Sequence, residues 1–127
     1  MTVANQDPII LLLKEDGQQV MNTILPRGAP LPIRGNLEST RQVFATGRPA
    51  VSNLFQGAAT PRPVVAIDVP VKDPNGAVIY VLSLNPNLET FAEIIRRQHL
   101  PASWVVAVID RRGHRRPRPR WGPLCRA

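Results

Sequence analysis

No pair of side chains in this sequence has the pattern of a catalytic nucleophile with its base. The serines in or beside apolar segments lack the glycine-flanked elbow that presents a catalytic serine (Ser52, Ser83, Ser103). The single cysteine, Cys125, rules out an internal disulfide, and one cysteine with two histidines offers no zinc-ligand pattern. Glycine-rich phosphate-binding loops are absent as well. We therefore expect no enzyme activity, no metal and no cofactor.

Polar residues inside or beside apolar segments are the candidates for binding a small molecule, in a pocket between a sheet and the loops over it. Asp68 interrupts the apolar run 64–71 and could accept a hydrogen bond from a ligand amine or hydroxyl; the alternative is an edge or solvent-facing position. Tyr80 could offer its phenol, or pack in the core with its hydroxyl at the rim. Arg62 could clamp a carboxylate, or be a solvated surface residue. Phe55 and Asn53 are weaker candidates.

The positive charge of the chain is confined to its C-terminal end. Residues 1–110 contain nine Lys or Arg and nine Asp or Glu, whereas residues 111–127 contain seven Arg and no acid. Clustered arginine binds phosphates, so a nucleic-acid-binding protein that uses this tail is one alternative function. We find no signal-peptide pattern and no run near the roughly 20 apolar residues of a membrane helix, so the chain as written is expected to be soluble.

The first half of the sequence predicts strands around one short helix. Two apolar segments, 9–13 and 20–21, flank a glycine-containing turn and indicate a hairpin. The loop 26–35 is rich in proline and glycine. A helix is expected over 36–47, with asparagine as its N-cap and glycine at its end. Alternation over 50–55 predicts a further strand.

The second half contains the strongest strand patterns. The segments 64–71 and 77–84 flank Lys-Asp-Pro-Asn-Gly, a sequence typical of a tight turn. A helix with an apolar stripe follows and ends before Pro101, and 104–109 reads as a last strand. Because hairpins dominate and the early connections are too short for repeated parallel crossovers, we predict an α+β fold with an antiparallel sheet and helices packed on it.

Three stretches resemble the Cache sensor domains of bacterial sensor histidine kinases. They are RQVFATGRPAVSNLF (41–55), RPVVAIDVPVKDPNGAVIYVLSLN (62–85) and LPASWVVAVIDRRG (100–113). The resemblance implies a PAS-like five-stranded antiparallel sheet with flanking helices. It also implies that the domain binds a small molecule and reports it through the membrane to a kinase. The amino-acid-recognition signature of one Cache subgroup is not matched, so no ligand class is carried over.

The resemblance also implies a place and a context for the chain. The parent receptor would hold this domain on the extracytoplasmic, periplasmic side of the inner membrane, and contact with the membrane would come only through flanking helices missing here. The long N-terminal helix of the family and its kinase segments are missing too, so the sequence resembles a truncated sensor. Sensors of this type commonly signal as homodimers, and the apolar stripe of the second helix (Leu88, Phe91, Ile94, Ile95) is either core or a dimer contact.

A repeated outline suggests where a second module begins. Leu-Leu-Lys-Glu-Asp-Gly at 12–17 and Val-Ile-Asp-Arg-Arg-Gly at 108–113 both place charged turn residues and a glycine after a strand. We therefore predict one sensor module over 1–100, the start of a truncated second module over 101–113, and a disordered Arg/Pro-rich tail over 114–127, which an out-of-frame reading of GC-rich DNA would explain. A cytosolic GAF-like regulatory domain is a further alternative, because TGRPAVSNL also resembles a strand of that family.

Overall fold

The computed structural model describes residues 8–58 and 62–113, so the predicted disordered tail lies outside the described residues. The chain divides into two compact units between Asn87 and Leu88, and each is described by itself. The predicted modules over 1–100, 101–113 and 114–127 stay predictions. In the part of the chain that the structure describes, neither helix combines the length and the apolar character needed to cross a membrane.

The first unit is built on a five-stranded antiparallel sheet, which confirms the predicted α+β class. The sheet order is β2-β1-β7-β6-β3, and a separate two-stranded pair is formed by β4 and β5. The elements are β1 Ile9–Leu13, β2 Gln19–Asn22, α1 Glu38–Thr46, β3 Ala50–Val51, β4 Phe55–Gln56, β5 Pro63–Val64, β6 Ile67–Lys72 and β7 Val78–Asn85.

The hairpin of β6 and β7 forms the middle of the sheet, as its turn sequence predicts. Asp73 N–H donates to the Ala77 carbonyl (2.9 Å), and Gly76 N–H donates to the Asp73 carbonyl (3.0 Å). The Asp73 carboxylate also accepts from the backbone N–H groups of Asn75 and Ala77. These bonds close the turn, and Gly76 has φ +86°, a conformation that glycine adopts without strain.

Alternation along the strands separates two faces of the sheet. The inner face holds the apolar core, which consists of Leu11, Leu13, Val43, Ala50 and Val81. The outer face is apolar as well, yet its side chains are largely exposed, as in Met21, Val51, Ile67 and Leu82. Between β6 and β7 the register shifts, since Val71 pairs with Tyr80 but Lys72 pairs with Val78. This bulge returns Val78 to the inner face, where it packs on the core.

Helix α1 packs against β3, β6 and β7 through its buried residues Ser39, Thr40 and Val43. The helix begins one residue later than predicted, because Leu37 rather than Asn36 occupies the N-cap position. Asn36 still satisfies a backbone N–H at the N-terminus of the helix, because its Oδ1 accepts a hydrogen bond from Glu38 N–H (3.0 Å). The end is as expected: Gly47 adopts φ +66° and its N–H donates to the Val43 carbonyl.

Two of the predicted strands are interrupted. The segment 50–55 is divided into β3 and β4, and 64–71 is divided into β5 and β6. At the break, Ser52 Oγ accepts from Ala66 N–H (2.8 Å) and donates to the Asn53 carbonyl (2.8 Å). A serine hydroxyl that bonds to nearby backbone competes with the regular strand ladder. The Ser52 hydroxyl accordingly lies where both predicted strands are interrupted, one at Ser52 and the other at Ala66.

The second unit contains one described helix, α2, Glu89–Arg96, whose only buried residue is Ala92. The trailing strand predicted over 104–109 is wrong, because this segment contains only single-residue bridges, at Val105 and Ile109. Trp104, Val105, Val108 and Ile109 are exposed, so this apolar run is not packed into a core formed by the described residues. The turn that follows does form, since Gly113 N–H donates to the Asp110 carbonyl (3.1 Å).

Candidate functional site

A small cavity opens on the inner face of the sheet, beside the β4–β5 pair. Its apolar wall is made by Ile9 and Leu11 of β1 together with two residues that pair across β4 and β5, Phe55 and Val64. Its polar wall contains three amide side chains and one arginine: Gln19, Asn22, Asn85 and Arg34. The space open to the centre of a water molecule is about 20 Å³, which is room for one water or one ligand oxygen.

Arg34 reaches this wall from the loop between β2 and α1, and the backbone of the β1–β2 turn positions it. Arg34 N–H donates to the Gly17 carbonyl (2.9 Å), so the loop lies directly on the turn. Gly17 has φ +87°, and a Cβ at this position would overlap the Leu37 side chain. Glycine is therefore required both for the turn and for the close approach of the loop.

The charge of Arg34 is balanced inside the protein by Asp68 of β6. Arg34 Nη1 lies 3.0 Å from Asp68 Oδ1 and 3.1 Å from Oδ2, and the two side chains are at most 2% exposed. The hydroxyls of Ser39 and Thr40 donate to Asp68 Oδ2 at 2.7 and 3.3 Å. A buried charge requires such pairing, and here the pair joins the loop, the sheet and the first turns of α1.

The guanidinium of Arg34 also connects this ion pair to the cavity. Nη2 donates to Ser39 Oγ (3.0 Å), and Nη1 donates to Ser83 Oγ (3.3 Å), which in turn donates to Asn85 Oδ1 (3.4 Å) in the cavity wall. The Phe55 ring lies 4.9 Å from the guanidinium carbon. Arg34 Nε is buried and has no hydrogen-bond partner. The described residues therefore leave one N–H of the guanidinium group without an acceptor.

The predicted site residues are divided by this arrangement. Phe55 lines the cavity, and Asp68 lies behind the cavity wall, fully buried and bonded to Arg34. Asn53 is buried but is not part of the wall, whereas the Arg62 side chain is exposed and contributes its carbonyl to Gly57 N–H (2.9 Å). Tyr80 pairs with Val71 on the outer face of the sheet. The role of each in binding stays a prediction.

Arg34, Gln19, Asn22 and Asn85 were not among the sequence candidates. Arg34 lies in a proline- and glycine-rich loop, where no periodicity indicates which way a side chain points. The strand pairing of the central hairpin indicates that such a residue is needed, because it places Asp68 opposite Ser83. Two polar residues opposite each other on a buried face require a partner, and an arginine from a neighbouring loop is a suitable one.

The polar groups around Asp68 are bonded to one another. Asp68 accepts its hydrogen bonds from a guanidinium and two hydroxyls, none of which is a base that could take a proton from serine. Within the described residues, no cluster of three or more potential metal ligands is present. A neutral, partly apolar cavity with a few directed polar groups is typical of a small-molecule site.

Comparison with known proteins gives one informative likeness. No family model matches the sequence, and no curated protein matches it either. Among solved structures, the extracellular domain of rpHK1S-Z16, a protein described as a histidine kinase, matches 75% of this chain with a TM-score of 0.54 and 16% sequence identity. The likeness establishes the fold. The likeness extends over 40% of that structure, which is less than half of its length.

Proposed function

We propose that this chain is a small-molecule-sensing module, of the PAS-like Cache type, from a bacterial two-component receptor. In the parent receptor it would lie on the extracytoplasmic side of the membrane and have no catalytic activity of its own. The observation that carries the proposal is the cavity on the inner face of the sheet, with Arg34 buried in its wall, in a fold shared with an extracellular domain of a histidine kinase.

The physical basis of the proposal is the cost of building this site. Burying an arginine and a carboxylate together gives little net stability compared with apolar residues of the same volume. Leaving a buried N–H without an acceptor costs about 1–3 kcal/mol. Arg34 meets both conditions, and it lines a cavity. Such an arrangement is expected of a binding site.

The remaining sequence alternatives have no comparable support. The nucleic-acid hypothesis depends on the arginine-rich tail, most of which lies outside the described residues. The GAF-like hypothesis predicts a different strand order, whereas the β2-β1-β7-β6-β3 order occurs in a fold similar to an extracellular domain.

A thermal-shift panel of amino acids, carboxylates, amines, amides and alcohols tests the proposal. A ligand at one hundred times its dissociation constant should add about 2.7 kcal/mol to the free energy of unfolding. Arg34→Gln leaves Asp68 buried without its counter-ion, so the ligand-induced shift is measured from the ligand-free transition of each variant. That shift should be absent in Arg34→Gln and unchanged in Arg62→Gln, which removes the same charge from an exposed side chain. If no compound shifts the melting temperature of the folded chain, or if Arg34→Gln keeps the full shift, the proposal fails.

A further inference from the structure

We propose that the cavity selects a small neutral carbonyl compound, such as a primary amide with a short alkyl group, over the corresponding carboxylate. This inference rests on the proposed sensing function and names the ligand class of the same site. It follows from three properties of the wall: its charge is already balanced, its unused hydrogen-bonding groups are donors, and its remaining surface is apolar.

The charge balance disfavours an anion. The single charged residue in the described cavity wall, Arg34, has its counter-ion Asp68 at 3.0 Å, and both are buried. A carboxylate entering this space would lose its hydration and meet an ion pair with no net charge. Desolvation of an unpaired anion is costly, and a neutral ion pair would offset little of that cost. An arginine that is to bind a carboxylate tightly needs its charge available, and this one has been neutralised.

The hydrogen-bonding groups favour an acceptor oxygen. Arg34 Nε has no partner, while Nη1 and Nη2 are already engaged. The oxygens of the wall amides are used as well: Gln19 Oε1 accepts from Asn22 Nδ2 (2.7 Å), and Asn22 Oδ1 accepts from Ile24 N–H (2.9 Å). Asn85 Oδ1 accepts from Ser83. The amide nitrogens of Gln19 and Asn85, two residues of the cavity wall, therefore complement a carbonyl oxygen.

The size and the apolar wall limit the rest of the ligand. About 20 Å³ is open to the centre of a water molecule, so one oxygen fits in the enclosed part. Ile9, Leu11 and Val64 line the same space with hydrocarbon, and the Phe55 ring closes it against the guanidinium. A carbonyl head with an alkyl group of a few carbons matches this combination of donors and apolar surface.

Matched pairs of compounds test the charge preference directly. Acetamide and acetate, propionamide and propionate, and isobutyramide and isobutyrate differ in charge but hardly in shape. We expect the amide of at least one pair to bind at least tenfold more tightly than its carboxylate, measured by calorimetry or NMR titration at constant ionic strength. Asp68→Asn should reverse the order, because it leaves the charge of Arg34 unbalanced.

A second pair of variants locates the binding and does not depend on the ion pair. Val64→Ile adds one methylene to the cavity wall and should abolish amide binding. Val69→Ile makes the same change on the outer face of the sheet and should leave it unchanged. These substitutions leave the Arg34–Asp68 pair intact, so their result can be read even if Asp68→Asn does not fold.

Each outcome distinguishes this inference from the proposed function. If carboxylates bind as tightly as the amides or more tightly, or if only amines bind, the neutral-ligand inference is overturned and the sensing function stands. If amides bind equally well to the Val64→Ile variant, the site is elsewhere and the inference is again wrong. If no compound of any class binds to the folded chain, both proposals fail.

Discussion

Replacing one member of the buried Arg34–Asp68 pair should destabilise the fold much more than replacing both. The two side chains are at most 2% exposed and their charged atoms are 3.0 Å apart. At an effective dielectric constant of about 20, this separation corresponds to about 5 kcal/mol of attraction, most of which offsets desolvation. Asp68→Leu or Arg34→Met alone leaves an unpaired buried charge and should cost about 3–5 kcal/mol of unfolding free energy.

The double variant is the decisive measurement. With both charges gone, apolar groups of similar volume fill the space, and the free energy of unfolding should return to within about 2 kcal/mol of the parent chain. Urea unfolding followed by circular dichroism measures all four proteins. Should one single variant be unfolded, recovery of a cooperative transition in the double variant still tests the prediction.

Additivity would refute this reasoning. If the two single losses add to the double loss within about 0.5 kcal/mol, the residues are not coupled and the ion pair does not hold the loop against the sheet. The exposed pair of Glu93 and Arg96 on α2 provides a control, because Glu93→Gln and Arg96→Gln are expected to change the free energy of unfolding far less than either single change at the buried pair.

Three further outcomes follow from the same structure. Val81→Ala should cost about 2 kcal/mol because the side chain is fully buried, whereas Leu82→Ala on the outer face should cost under about 1 kcal/mol, both by urea unfolding. Gly17→Ala should lower the free energy of unfolding by more than about 1 kcal/mol, because of the positive φ of Gly17 and the overlap described above. An unchanged free energy of unfolding would contradict the turn geometry. NMR titration should find the pKa of Glu93 below 4.5, because a hydrogen bond and the charge of Arg96 favour its ionised form. Its contribution to stability is therefore present above pH 4.5 and lost as the pH falls through the lowered pKa, and Arg96→Gln should move the titration back up.

Local patterns predicted the elements whose own residues decide their structure. The central hairpin follows from its Pro-Asn-Gly turn, and α1 ends at a glycine that adopts the left-handed conformation. The sheet class follows from the dominance of hairpins. The breaks at Ser52 and Ala66 could not be predicted in this way, because they depend on a hydrogen bond between residues of different strands.

The candidate site was predicted less well, for a reason that its geometry explains. Tyr80 was grouped with Asp68 although the register places the two on opposite faces of the sheet, since Asp68 pairs with Ser83, three residues from Tyr80. Arg34 gives no short-range signal because Asp68 and Ser83, which hold its Nη1 on the sheet, are 34 and 49 residues further along the chain. Loop conformation is determined by such distant contacts, which a reading of short-range periodicity does not contain.

The separation of these partners along the chain also determines when the cavity comes into existence. Arg34 can bond to Asp68 and Ser83 only after β6 and β7 have paired, and both lie well after it in the sequence. Closing contacts of this range carries an entropic cost that local structure does not repay, so the site should be among the last parts of the unit to form during folding. A ligand held by Arg34 would therefore slow the unfolding of the whole first unit, and its occupancy could be read from a global unfolding rate.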